Sequence, residues 1–256
     1  MREALVAEWT KLRTLSGTAW LLIGAVGLTV AASAAIAATT HISSGGGQDP
    51  TKLALSGVEL GQMVLVAFAI SAISEEYGTG MILLSLAAVP RRRVLLAAKA
   101  ANVGFMAILT GVLAVAGCLL VGHQMLPAAG LDAVHGYAPV SISQGPTLRA
   151  AGGTVLYFVL VALLSLGVAT AVRETAVSIG AALGLLYLPP ILAQLLSEPL
   201  RRLIQQIAPM SAGLAIQNTT KLRSAPIAPW SGLGVLAAWA LAALFLGGLL
   251  LRLRDA

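Results

Sequence analysis

Charged side chains are missing from five long stretches of this chain: between Arg13 and Asp49, Lys99 and Asp132, Arg149 and Arg173, Glu174 and Glu198, and Arg223 and Arg252. A sixth stretch, residues 53–74, carries only Glu59. A helix needs about 20 mostly apolar residues to cross roughly 30 Å of hydrocarbon, and each stretch is long enough. The strict alternation that marks a membrane β-strand is absent. Backbone groups in lipid must then be satisfied inside helices. The fold class is all-α integral membrane protein, a single transmembrane domain over residues 1–256. Its six spans are predicted near 19–39, 53–74, 94–121, 150–172, 176–196 and 232–251. Composition agrees, since only 10% of residues are charged, against about 25% in soluble domains.

The net charge of +6 would suggest nucleic acid in a soluble protein. No basic run here is interleaved with aromatic residues as a nucleic-acid groove requires. Membrane proteins instead gather Lys and Arg in cytoplasmic loops. With the N-terminus inside, Arg2, Lys11, Arg13, Arg91, Arg92, Arg93, Lys99, Arg173, Arg252 and Arg254 are cytoplasmic. Lys52, Arg149, Arg201, Arg202, Lys221 and Arg223 lie outside. The balance predicts a multi-pass protein of the cell membrane with both termini in the cytoplasm. The lone Cys118 falls within a span, which excludes an internal disulfide.

Residues 1–16 have helical period but too much charge to span. Met1, Leu5, Trp9, Leu12 and Leu15 share one face, the pattern of a helix lying in the membrane interface. Glu8 interrupts that face and is expected to pair with a basic group nearby. The apolar run that follows is longer than the 7–15 residues of a cleaved signal core, so it is read as a retained first span. Near the outer end of span five, Pro189 and Pro190 are expected to break the helix. The half-apolar segment 198–229 then reads as short helices dipping into the outer leaflet.

Between spans two and three the sequence is EEYGTGMILLSLAAVPRRR, residues 75–93. Glu75 and Glu76 mark the end of span two, and Gly78 and Gly80 allow a sharp turn. Residues 81–89 are too short to span and suit a short surface helix. Pro90 ends it before Arg91, Arg92 and Arg93. An ordinary positive-inside loop has no use for an apolar knob between two hinges. Such a knob is suited to docking in a groove on another protein.

The stretches EWTKLRTLSGTAWLL at 8–22 and EEYGTGMILLSLAAVPRRRVLLAAKA at 75–100 resemble the permease subunits of ABC-2 type ATP-binding-cassette exporters, particularly the small actinobacterial ones. The chain departs from that pattern at Leu83, where many relatives carry a basic or polar residue. The resemblance implies a half-transporter, in which two permease copies enclose a path and two ATPase subunits press on the coupling region. It implies that Glu8, Glu75, Glu76, Gly78, Gly80, Met81, Ile82, Leu83, Pro90, Arg91 and Arg92 serve that coupling. It also places spans two and five near the dimer axis and the path, where Gly57, Glu59, Gly61, Gly180 and Gly184 lie.

The chain has no G-x-x-x-x-G-K-[ST] phosphate loop, so ATP and magnesium are expected in the partner ATPase. No catalytic residue, metal site or cofactor is expected here. Spans poor in charge and aromatics suggest an apolar or amphipathic cargo: a drug, antibiotic, lipid or peptide. Two rivals stand beside export. An ion-coupled secondary transporter would need an intramembrane carboxylate, and Glu59, about two turns into span two, is the candidate. An intramembrane hydrolase would need a nucleophile and base, but His41, His123 and His135 all fall in predicted outer loops.

Overall fold

A computed structural model describes residues 16–40, 48–79, 81, 92–131, 137, 140–141, 143–220, 222 and 225–253. In chain order its helices are α1 (Ser16–Thr39), the short α2 (Pro50–Ala54), α3 (Val58–Gly78), α4 (Arg92–Met125), α5 (Gly145–Val172), α6 (Thr175–Ala193), α7 (Glu198–Ile207), α8 (Pro209–Leu214) and α9 (Pro229–Leu253). A 3-10 turn, Ala215–Gln217, follows α8. Among the described residues there is no strand. Six of these helices, α1, α3, α4, α5, α6 and α9, are long and apolar enough to cross a membrane. The chain is a multi-pass, all-helical membrane protein. Its outer surface agrees with this, since Trp20 and Phe245 are each 72% exposed and Leu241 is 67% exposed. Water penalises an apolar belt of that kind, whereas lipid does not.

The six long helices run alternately up and down. The end of the bundle where α1 starts and α9 finishes is called basal here, and the opposite end distal. α5 is central and packs against α3, α4, α6 and α9. α1 lies on the far side, against α3 and α4. Close approach depends on small residues, as is usual where lipid supplies no hydrophobic drive between helices. Gly167 and Gly247 let α5 and α9 touch, and an added methyl on Gly167 would lie 2.6 Å from the Leu244 nitrogen. Hydroxyls inside the spans are spent locally. Thr154 and Ser165 donate to the carbonyls of Ala150 and Val161, one turn back.

Several boundaries differ from the sequence expectation. Span two begins at Val58 rather than near residue 53, because residues 50–54 form the separate helix α2. Asp49 caps α2 and Pro50 starts it. Ser56 Oγ then donates back to the Leu53 carbonyl at 2.7 Å, closing a turn before α3. Glu59 therefore sits in the first turn of α3, not two turns inside the span. Span three runs on to Met125, so His123 belongs to the last turn of a helix, with Nδ1 3.1 Å from the Val140 carbonyl. Span four starts at Gly145, with Pro146 in the first turn, where its missing amide costs nothing. Pro189 and Pro190 do not break span five. Both lie inside α6, which ends one turn later at Ala193. Two lost donors near a helix end leave φ helical, and the chain turns away only when the helix runs out.

The segment before α9 splits into two unlike parts. None of the residues of α7 is buried, and Leu200, Leu203 and Ile207 form an exposed apolar stripe beside Glu198, Arg201 and Arg202. α8 is buried instead, against α9, α6 and α5. Asp49 anchors the chain that follows: it accepts from Thr219 N at 2.5 Å, Thr219 Oγ1 at 2.6 Å and Thr220 N at 2.9 Å. It also caps α2 through Lys52 N at 3.2 Å. Asp49→Ala should lower stability by about 1–2 kcal/mol. Hydrogen exchange should quicken at Thr219 and Thr220 while α5 keeps its protection, and unchanged exchange there would contradict the anchoring role.

Candidate functional site

Two groups of buried polar side chains, one distal and one basal, link the spans to one another. At the distal site Gln62, three residues after Glu59 on α3, is fully buried. Its Oε1 accepts from the Tyr157 hydroxyl of α5. Its Nε2 donates to the Tyr187 hydroxyl of α6 at 2.8 Å and lies 3.4 Å from Met210 Sδ of α8. Tyr187 in turn donates to the Glu59 backbone carbonyl. One amide thus ties four helices together, with both of its ends satisfied. Above this hub lies a cavity of about 370 Å³. Lys52, Glu59, Gln194, Gln205, Ser211 and Asn218 supply polar groups, and Met210 and Leu214 are part of its apolar lining. Among the described residues the cavity offers one cation, one anion and several amides, so it can hold an amphipathic solute by hydrogen bonds and opposite charges. Tyr157→Phe leaves the buried Gln62 oxygen without its donor and should cost about 1–3 kcal/mol, read as a lower melting temperature of the detergent-solubilised chain. A melting temperature equal to the parent would show that the hub is not holding these helices.

The basal site joins α3, α4 and α5. Lys99 of α4, 2% exposed, places Nζ 2.8 Å from Glu76 Oε1 and 3.1 Å from the Ala72 carbonyl. Beside it the Arg173 guanidinium stands 5.4 Å from the centroid of the Tyr77 ring, within cation–π range. Arg173 takes φ 66°, the left-handed cap of α5, and Glu174 caps α6 by accepting from Ala176 N at 3.1 Å and Val177 N at 2.5 Å. The predicted tight turn between spans four and five is therefore two capped helix ends back to back.

The residues singled out from sequence fall in different settings. Glu8, Gly80, Ile82, Leu83, Pro90 and Arg91 lie outside the described residues. Glu75 is exposed on the last turn of α3, Gly78 closes that helix with open space beside it, and Met81 is 44% exposed. Arg92 opens α4. Glu76 is not exposed like its neighbour; it is buried against Lys99. Gly57 and Gly61 face α1 inside the chain, where added methyls would overlap Thr29. Gly180 has nothing within 4 Å, and Gly184 meets only Leu188 of its own helix at 3.6 Å. Only the second pair leaves a bare helix face. Glu59 lines the distal cavity.

Sequence reasoning missed Gln62, Tyr157, Tyr187 and the partnership of Lys99. One signal was present: Gln62 follows Glu59 at helical spacing, so two polar residues share a face of a span. Among the described residues no group of His, Cys, Asp and Glu could hold a metal. No family model matches the chain, and no curated protein matches it.

Proposed function

We propose that this chain is the permease subunit of an ATP-driven ABC-2 type exporter, two copies working with two ATPase subunits to move an amphipathic cargo out of the cell. The observation that carries the reading is the pairing of α3 and α6. These two helices meet through Gln62, Tyr187 and the Glu59 carbonyl, and beside them opens a cavity of mixed charge. The Gly180 and Gly184 face of α6 stays bare, as a face awaiting a second copy would. In this reading the basal end is cytoplasmic, and residues 79–91 are the segment on which the ATPase pushes. The Glu76–Lys99 pair clamps α3 to α4 on either side of that segment. A displacement there would move both helices together and reach the distal cavity through α3.

The test is recovery of the ATPase by the double variant Ile82→Asp, Leu83→Asp at matched membrane expression. Two carboxylates forced into an apolar groove cost several kcal/mol, so ATPase recovery should fall to background while the permease still inserts. Normal recovery together with normal export would show the segment to be a plain loop. Transport by the chain alone, driven by an ion gradient, would favour the secondary-transporter reading instead.

A further inference from the structure

We infer that the basal groove between the start of α4 and the end of α9 binds one anionic phospholipid. The groove has a volume of about 560 Å³ and is walled by Leu96, Ala97 and Ala100 on α4 and by Leu244, Gly248 and Leu249 on α9. That volume lies in the range of roughly 300–1000 Å³ found for small-molecule sites. Small residues create it. Where Ala97, Ala100 and Gly248 stand, larger side chains would close the space between two helices whose backbones are held apart. Both helices are membrane-spanning, so the groove opens toward lipid rather than water.

Its polarity runs in one direction. Along α9 the lining is apolar until Arg252 in the last turn, and among the described residues lining the groove no acidic side chain balances that charge. Arg92 and Arg93 occupy the first turn of α4, one turn before Leu96. Lys99, the next basic residue on α4, is already committed to Glu76. The result is an apolar trough with the Arg252 guanidinium at its basal end, which fits an acyl chain beneath a phosphate. Basic pockets between spans hold anionic headgroups in this way. A zwitterionic lipid offers the same chain but no net charge, so Arg252 would discriminate between the two.

The experiment uses the full chain purified in a mild non-ionic detergent, with phosphatidylglycerol and phosphatidylcholine of identical acyl chains added in equal amounts. Native mass spectrometry counts the lipids that stay bound. The expected result is preferential retention of one phosphatidylglycerol per chain. Arg252→Gln should reduce that preference about fivefold, as loss of one basic residue near an anionic headgroup does. Ala97→Trp fills the trough from an exposed position and should lower retention of both lipids, while Leu241→Trp, elsewhere on α9, should change neither. Equal retention of the two lipids, or a preference untouched by Arg252→Gln, would overturn the proposal. So would a lipid-free dimer broken by Ala97→Trp, since a second copy would then be the occupant.

Discussion

Replacing Gly57 with alanine is expected to remove most of the folded protein, whereas Gly180→Ala should leave the yield of folded chain unchanged. The two glycines look alike in sequence, each opening a G-x-x-x-G spacing on a span. Their surroundings differ. A methyl on Gly57 would overlap the Thr29 carbonyl oxygen and come within 2.5 Å of Ser33 Oγ and 2.6 Å of Ser33 N. Two of those three atoms are backbone and cannot rotate away. Relief requires α1 to separate from α3, breaking the bond from Gly57 N to Ser33 Oγ at 3.0 Å. Overpacking of this kind costs about 1–3 kcal/mol even where side chains can adjust, and backbone contact puts Gly57→Ala at or above the upper end. At Gly180 a methyl meets nothing within 4 Å, and alanine is the better helix former. The check is fluorescence-detected size-exclusion of both variants from membranes. Equal monodisperse yield for the two would contradict the α1–α3 packing.

The second large effect is at Lys99. Lys99→Met keeps the length of the side chain and removes its charge, leaving the Glu76 carboxylate inside the bundle without the ammonium 2.8 Å away. Breaking a buried ion pair on one side costs about 3–5 kcal/mol, while replacing both members by apolar residues is often neutral. Lys99→Met should therefore melt far below the parent, and adding Glu76→Met should recover most of the loss. The double variant also separates stability from coupling. If the pair clamps α3 to α4 for the ATPase, the double variant folds well yet turns over cargo poorly. A single variant within 1 kcal/mol of the parent would show that the pair contributes little to holding the bundle together.

The spans were legible because lipid imposes one rule everywhere: twenty residues without charge become a helix. That rule says nothing about where a span starts when apolar residues precede it. Residues 53–55 are as apolar as those of α3, and the break after them shows in the Ser56 Oγ bond back to the Leu53 carbonyl and in the approach of Gly57 to Ser33 on another helix. Pro189 and Pro190 misled in the opposite direction, since a proline pair near a helix end removes donors without ending the helix. Glu59 could be found in sequence because it is a lone charge in an apolar window. Gln62 could not be given its meaning, because its partners lie 95 and 125 residues away on α5 and α6. Lys99 looked like one of several basic residues at a span entrance. Its pairing with Glu76 depends on the register of α3 against α4, which no local pattern encodes.

The chain spans the membrane, and under the proposed function it borrows its energy from an ATPase. The most direct measurement is the native mass of the tagged chain drawn from its own cell membranes in mild detergent, with ATP hydrolysis assayed on the same sample. The expected result is a complex of two copies of this chain with two copies of a subunit that carries a phosphate loop and hydrolyses ATP. A single copy that is free of any ATPase, and that moves its cargo down an ion gradient after reconstitution, would contradict it.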